Sequence, residues 1–239
     1  MASQKILLVL GSGSNIGQSL TERFKSAGYS IALVSRSAPT SSGASDEVLR
    51  IQADLANPGA IASIFETVKA KLGAHPTVVV YNAAALTVPS DMSNIFTVPV
   101  EDFERDMAVM NTSAYVAARE AVAGFGASTN DAPKAFIYTG NIFGAVTRPV
   151  PRVVTLGAGK SAAGFWLGVA GATFKEKGYK FHFADERHAD GGSMTMQELS
   201  GPGAAEFYLD LAEKDAKIPW YATFVAGKGY VHFPETSRV

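Results

Sequence analysis

The sequence predicts a doubly wound α/β fold, with a mostly parallel sheet of roughly seven strands and helices on both faces, and three observations carry that prediction. Short apolar runs alternate with longer amphipathic stretches along the chain, as a parallel sheet covered on both faces requires. The runs near 5–10, 30–34, 48–53, 77–81, 134–139, 179–184 and 221–226 read as strands. Helical patterns fall near 15–27, 59–72, 101–124, 157–177 and 203–214, each starting or stopping near Gly, Pro, Asn or Asp. The third observation is size: 239 residues with 47% hydrophobic content can bury one substantial core, so a single domain over 1–239 is expected, with a lid region near 185–217. Crossovers in such sheets are nearly always right-handed, which places a ligand site at the carboxyl ends of the strands.

Composition narrows the function classes. A net charge of -1, from 21 basic and 22 acidic residues, gives no global attraction for nucleic acid or an anionic membrane. Any anionic ligand must then be held locally. The absence of cysteine removes disulfides, thiolate nucleophiles and cysteine metal sites, and no metal is expected. The first apolar run begins only at Ile6 and is too short for a signal-peptide core or a membrane span, so a soluble cytoplasmic protein is expected. The segment 37–45, rich in Ser, Ala, Pro and Gly, reads as a mobile loop.

The first strand runs into Gly11-Ser12-Gly13-Ser14-Asn15-Ile16-Gly17 and then into a helix. Glycines at a strand-to-helix turn let the backbone approach a pyrophosphate, which the unpaired N–H groups of the helix N-terminus stabilise. As G-x-G-x-x-G the run fails by one residue, because Ile16 occupies the third glycine position. A tight turn that holds no ligand is the competing reading. The second strand ends in Ser35-Arg36 with no acid, and an arginine there suits a 2′-phosphate where an acid would suit a free 2′-hydroxyl. That points to NADP(H), against the plainer alternative of a solvated surface arginine.

The turn resembles the T-G-x-x-x-G-x-G loop of the short-chain dehydrogenase/reductase family, matching it at Gly11 and Gly17 and departing at Leu10 and Asn15. Asn tolerates unusual backbone angles, so the turn is expected to survive its middle substitution. Asp54-Leu55 resembles the family's adenine-contacting segment, Asn82-Ala83-Ala84 its N-A-G segment, and Asn111 the helix Asn that organises water near the catalytic lysine. The order and spacing of these matches carry the resemblance over the whole chain. It implies a Rossmann-type cofactor site built from Gly11, Gly13, Asn15, Ile16, Gly17, Arg36, Asp54, Leu55, Asn82, Ala83, Ala84 and Lys160.

In that family a Ser after the fifth strand and a Tyr-x-x-x-Lys pair do the chemistry. The tyrosine exchanges the carbonyl proton, while the lysine holds the nicotinamide ribose and lowers the tyrosine pKa. Here Lys160 matches, Leu156 stands at the tyrosine position and Asn141, counted back from Gly144, at the serine position. Asn141 can donate a hydrogen bond to a carbonyl; Leu156 cannot transfer a proton. Two readings follow from the resemblance. One is an atypical NADPH-dependent reductase of a carbonyl or imine on a small, largely apolar molecule, with a non-standard proton donor. The other is a nucleotide-binding protein without redox turnover, either a sensor or a pocket for cyclisation or isomerisation.

Candidate replacement groups follow the sixth strand in Asp185-Glu186-Arg187-His188. Asp185 and Arg187 remain open as catalytic candidates, whereas Glu186 and His188 read as a charged loop with internal pairs. Tyr138 is a poorer substitute, since strand alternation turns it away. The helix after Lys160 carries a face of small residues, among them Ala163, Gly164, Gly168 and Gly171, and the resemblance implies that it and the helix near 101–124 pair with their copies in a homodimer or homotetramer. Met194, Met196, Phe207 and Tyr208 lie where the family has its substrate lid and line either an apolar pocket or the core.

Overall fold

Five consecutive uncharged apolar residues form β1 (Ile6–Leu10), and all five are buried because both faces of a central parallel strand are covered. In this computed structural model, which describes residues 4–37, 48–128, 131–144, 150–214 and 217–234, β1 is followed by α1 (Ile16–Ser26), β2 (Ser30–Ser35), β3 (Val48–Gln52), α2 (Ala60–Leu72) and β4 (Val78–Tyr81). The expected loop at 37–45 lies, apart from Ser37, outside the described residues. The second half comprises α3 (Val100–Met107), α4 (Ser113–Ala127), β5 (Ala135–Thr139), α5 (Val154–Thr173), β6 (Lys180–Glu186), α6 (Gly201–Glu213), β7 (Tyr221–Val225) and β8 (Gly229–Tyr230).

One eight-stranded sheet runs in the order β3-β2-β1-β4-β5-β6-β7-β8. Every pair is parallel except β7 with β8, a short edge strand beyond the roughly seven expected. The chain order reverses between β1 and β4, so their carboxyl ends diverge at the topological switch point where such sheets bind ligands. One core, on the side of α2, α4 and α5, gathers Leu8, Leu10, Val79, Tyr81, Phe136 and Tyr138. The alternate strand residues, including Leu7, Val9, Val78, Val80 and Ile137, pack against α1 and α6 on the other side.

The chain from α3 to α4 is one helix interrupted by a π turn at Ala108–Thr112. A wider turn disturbs the regular bonding of nearby carbonyls. Two buried strand tyrosines supply hydrogen bonds there: the Tyr81 hydroxyl donates to the Val109 carbonyl, and the Tyr138 hydroxyl to that of Met110 at 2.8 Å. Their rings stack with centroids 5.6 Å apart. The sheet therefore fixes the helix segment that carries Asn111.

The stretch Pro151–Thr173 is long and apolar enough to cross a membrane by length and composition. In this fold it contributes Lys160, Ala163, Gly164 and Leu167 to the buried face of α5.

His182 of β6 is buried, and its Nδ1–H donates to the Pro219 carbonyl at 3.1 Å. Burial pushes the imidazole down to about 4, assisted by the Lys180 charge and opposed by the Pro219 bond. The neutral form is thus favoured by folding, and its contribution is complete above the usual histidine value and lost as pH falls towards about 4. At about 1.4 kcal/mol per unit the loss amounts to about 3 kcal/mol. Urea denaturation of the wild type should show this acid weakening, and His182→Gln should show less of it between pH 7 and 4. An equal acid loss in both proteins would assign it elsewhere.

Candidate active site

The phosphate-type turn is set by two glycines. Gly11 has φ +92°, and a Cβ there would lie 2.6 Å from the Ala83 nitrogen. Gly17 brings α1 against the Ser12 backbone, where a Cβ would meet Cα at 3.0 Å. At Gly13 a Cβ would meet nothing within 4 Å, so its backbone is open to a neighbour from outside. Ile16 points into the core as the first residue of α1, which explains why glycine is not required at that position.

Asn15 takes φ −96° and ψ −91°, without a positive φ, and its amide donates to the Leu199 carbonyl at 2.9 Å. This ties the turn to the segment entering α6. The Gln18 and Ser19 N–H groups reach back to the Gly13 and Asn15 carbonyls, both at 3.1 Å. The Gly11 and Ser12 N–H groups are taken by the Val34 carbonyl, so an anion at this turn would meet the first N–H groups of α1, where the helix dipole also favours it.

Across β1, Asn82 donates through its amide to the Gly11 carbonyl at 2.9 Å, and the Ala83 N–H donates to the Leu10 carbonyl at 3.1 Å. Ala84 is exposed beside them. Asp54 is exposed and accepts the Ala56 N–H at 3.0 Å, while buried Leu55 presents its carbonyl to the Ser113 hydroxyl at 2.7 Å. Arg36 is exposed directly after β2, with its carbonyl fixed by Gln52 at 3.0 Å. A groove of about 680 Å³ runs from Ser12, Gly13 and Ser14 past Ser35 and Ser37 to Arg50. Sequence reading overlooked Arg50; only the pairing of Leu33 with Arg50 brings it beside the glycine turn.

Lys160 enters from α5 and is 4% exposed. Its Nζ donates to the Thr139 carbonyl at 2.7 Å and lies 4.4 Å from the centre of the Tyr138 ring. Burial pushes the ammonium down to about 7, against the opposing pull of the Asp185 carboxylate. Half-buried Leu156 stands four residues earlier on the same helix face. Asn141 follows β5 closely, and its side-chain oxygen accepts the Phe143 N–H at 3.1 Å. Asn111 lies in the π turn, but its side-chain oxygen accepts the Trp166 indole N–H at 3.0 Å and so faces α5 well along from Lys160.

The sixth strand runs two residues further than its apolar pattern shows, so Asp185 and Glu186 are strand residues on opposite faces and not loop residues. Both Asp185 and Arg187 are buried. The Arg187 Nε donates to Asp185 Oδ2 at 2.6 Å, and its other nitrogens reach the Gly191 carbonyl at 2.9 Å and the Tyr221 hydroxyl at 3.4 Å. Tyr221 donates to the same Oδ2 at 2.7 Å and lies 3.2 Å from the Asn141 carbonyl. Asp185 and Arg187 are therefore an internal pair beneath the site, not charges displayed at its mouth. Burial raises the Asp185 pKa, with the Arg187 charge and the Tyr221 bond opposing.

Tyr221 was missed because its role depends on register: it pairs with Phe183, diagonal to Asp185 across the β6–β7 ladder. Glu186 accepts the Ser200 N–H at 3.0 Å on the other face, and His188 lies 3.5 Å from Glu198 on the surface. In the lid region Phe207 and Tyr208 are core residues packed on Phe224, whereas Met196 is exposed. The Tyr208 hydroxyl donates to the Thr139 side chain at 3.1 Å, on the opposite side of β5 from Tyr138.

A model of the short chain dehydrogenase family matches residues 5–132, the span from β1 through α4. A short chain dehydrogenase/reductase of Cryptosporiopsis sp. (strain 8999) is 38% identical over 248 residues, covering 99% of this chain and 98% of that protein. The NADPH-dependent 3-quinuclidinone reductase of Rhodotorula rubra shares the fold with a TM-score of 0.74 at 19% identity, over 95% of this chain and 91% of its own. A short-chain type dehydrogenase/reductase of Mycobacterium marinum does so with a TM-score of 0.75 at 18% identity, over 93% of each chain. The doubly wound sheet, the glycine turn at its switch point and these likenesses agree, and the chain belongs to the short chain dehydrogenase/reductase family.

Proposed function

We propose that this protein is an NADP(H)-dependent reductase that delivers hydride to a carbonyl or imine carbon of a small, largely apolar molecule, without a tyrosine as its proton donor. The observation that carries the cofactor assignment is the groove from the glycine turn past the end of β2, lined by Ser35, Ser37 and Arg50 with Glu22 on the α1 side, next to exposed Arg36 and with no acidic residue at 35–37. A 2′-phosphate carries the negative charge that two guanidinium groups there would stabilise. The name of the Rhodotorula reductase, which uses NADPH, supports the same choice.

When bound, the nicotinamide supplies the hydride. The chain's part is to hold its phosphates on the turn at 11–17, its adenosine by Asp54, Leu55 and 82–84, and its ribose by Lys160. Leu156 replaces the family's tyrosine and Asn141 its serine in this reading, which limits the site to substrates that need little acid assistance or to another proton source. Exposed Tyr115, Phe165 and Val169 on α4 and α5 support a homodimer or homotetramer, and a cytoplasmic location accompanies the proposal.

Calorimetric titration should show NADPH binding at least about tenfold tighter than NADH, a difference near 1.4 kcal/mol. Arg36→Ala should remove most of that preference. Failure to bind either nucleotide would sink the proposal, and an unchanged preference in Arg36→Ala would take Arg36 out of it. Leu156 also favours a second reading, in which the nucleotide is bound and no redox turnover occurs. NADPH consumption with ketones, enones or cyclic imines would exclude that reading; tight binding without consumption across all three would favour it.

A further inference from the structure

A buried arginine and aspartate normally close on each other through two parallel bonds, which satisfies both carboxylate oxygens. Here Arg187 brings both Nε and Nη2 to 2.6 Å from one oxygen of Asp185, Oδ2, and turns Nη1 to the Gly191 carbonyl. Both side chains that donate to Asp185, Arg187 and Tyr221, converge on Oδ2. Oδ1 is fully buried and has no partner. An acceptor left so in the interior costs about 1–3 kcal/mol, so the arrangement calls for a further donor.

Lys160 lies nearby, since its Nζ is held at Thr139, whose strand partner Ala184 directly precedes Asp185, and it has donors to spare. An ammonium has three, and Nζ makes one hydrogen bond, to the Thr139 carbonyl. The two side chains feel each other's charge without an ion-pair contact between them. The groups in direct contact with Lys160 offer no counter-charge: the Thr139 carbonyl and the Tyr138 ring face, both on β5. Glu186 points to the opposite face of the sheet and is taken up by Ser200.

We propose that Asp185 is a positioning residue, a fixed counter-charge whose free oxygen holds Lys160 as an ammonium ion, through a bridging water or ligand hydroxyl, and so makes the lysine itself the proton donor of the site. This rests on the reductase reading. In the step, hydride passes from the reduced nicotinamide to the carbonyl carbon while an ammonium proton passes to the carbonyl oxygen. The products are an alcohol, the oxidised nicotinamide and a neutral Lys160 amine, which regains a proton from solvent. Without Asp185 the buried lysine would lose its charge more readily, because desolvation alone favours the amine.

The test follows Lys160 by its 13Cε resonance in protein labelled with 13C-lysine, assigned by its loss in Lys160→Met. In the wild type the resonance should titrate near 7. In Asp185→Asn the titration should move down by about one unit or more, a tenfold change in the proton dissociation constant. A purely structural role predicts the opposite sign, since a loosened pocket admits water and moves Lys160 up towards 10.5. An upward or absent shift would overturn the proposal. Should Asp185→Asn fail to fold, the wild type carries the test: the Asp185 13Cγ resonance must move in the same pH interval as Lys160, and independent titrations would overturn the coupling. NADPH titration of the same samples separates the two ideas. Absence of NADPH binding with the coupling intact removes the reductase reading and with it the donor role, whereas binding without coupling removes only Asp185.

Discussion

Leu156→Tyr is expected to raise ketone reduction by up to about 10²-fold, the low end of general acid assistance because Lys160 already donates a proton, while leaving reduction of a preformed cyclic iminium nearly unchanged. The substitution places a phenol one helical turn before Lys160, on the helix face that the lysine occupies. Leu156 is half-buried, so the larger ring has an open side towards which to extend. A nearby ammonium would favour the phenolate and so bring the tyrosine closer to the range where it exchanges protons. The check is kcat/KM for a ketone and an iminium, each with NADPH, in wild type and variant. A ketone rate unchanged in a folded variant with normal NADPH affinity would mean that position 156 does not face the reacting carbon. The α5 alignment with the family pattern would then be wrong.

The second large effect concerns stability. Arg187→Ala is expected to cost about 3–5 kcal/mol, because it leaves the Asp185 carboxylate buried without its main partner. For a chain of this size that corresponds to a fall in Tm of roughly 6–20 °C. The loss should shrink as pH falls. Burial already raises the Asp185 pKa, and removing the guanidinium raises it further, so the carboxyl takes up a proton and ceases to be an unpaired charge. Joining Arg187→Met to Asp185→Leu should recover much of the stability, since an apolar pair of similar volume avoids the desolvation of both ions. Thermal denaturation at pH 7.5 and 5 compares the three proteins. A double variant as unstable as Arg187→Ala, with no pH dependence in the single one, would locate the loss in the lid turn at 188–192 and not in the ion pair.

These two predictions differ in how much of their basis was legible before the fold was known. Leu156 and Lys160 stand four apart in one helical stretch, and their shared face follows from helix periodicity alone. Arg187 read as an open catalytic candidate just past the sixth strand, because the apolar run of β6 ends at Ala184. The strand in fact continues to Glu186, since β7 lies beside it and supplies backbone partners through Thr223 and Phe224.

What the sequence determined by itself is what depends on short-range periodicity. Alternating strand and helix patterns located the strands from β1 to β7 and the main helices, and the glycine turn at 11–17 was legible because steric freedom at Gly11 and close approach at Gly17 are properties of residue type. Arg36 could be placed because it follows a strand directly. Tertiary structure decided whatever depends on a partner distant in the chain. Trp166 claims the Asn111 side chain, Tyr81 and Tyr138 satisfy the π turn, Arg50 arrives beside the glycine loop through strand register, and Tyr221 shares Asp185 with Arg187. The physical reason is common to all of them. A side chain's direction is set by local backbone geometry, but its hydrogen-bond partner and its ionisation are set by how deeply the surrounding strands and helices bury it and which polar atoms they bring within about 3 Å.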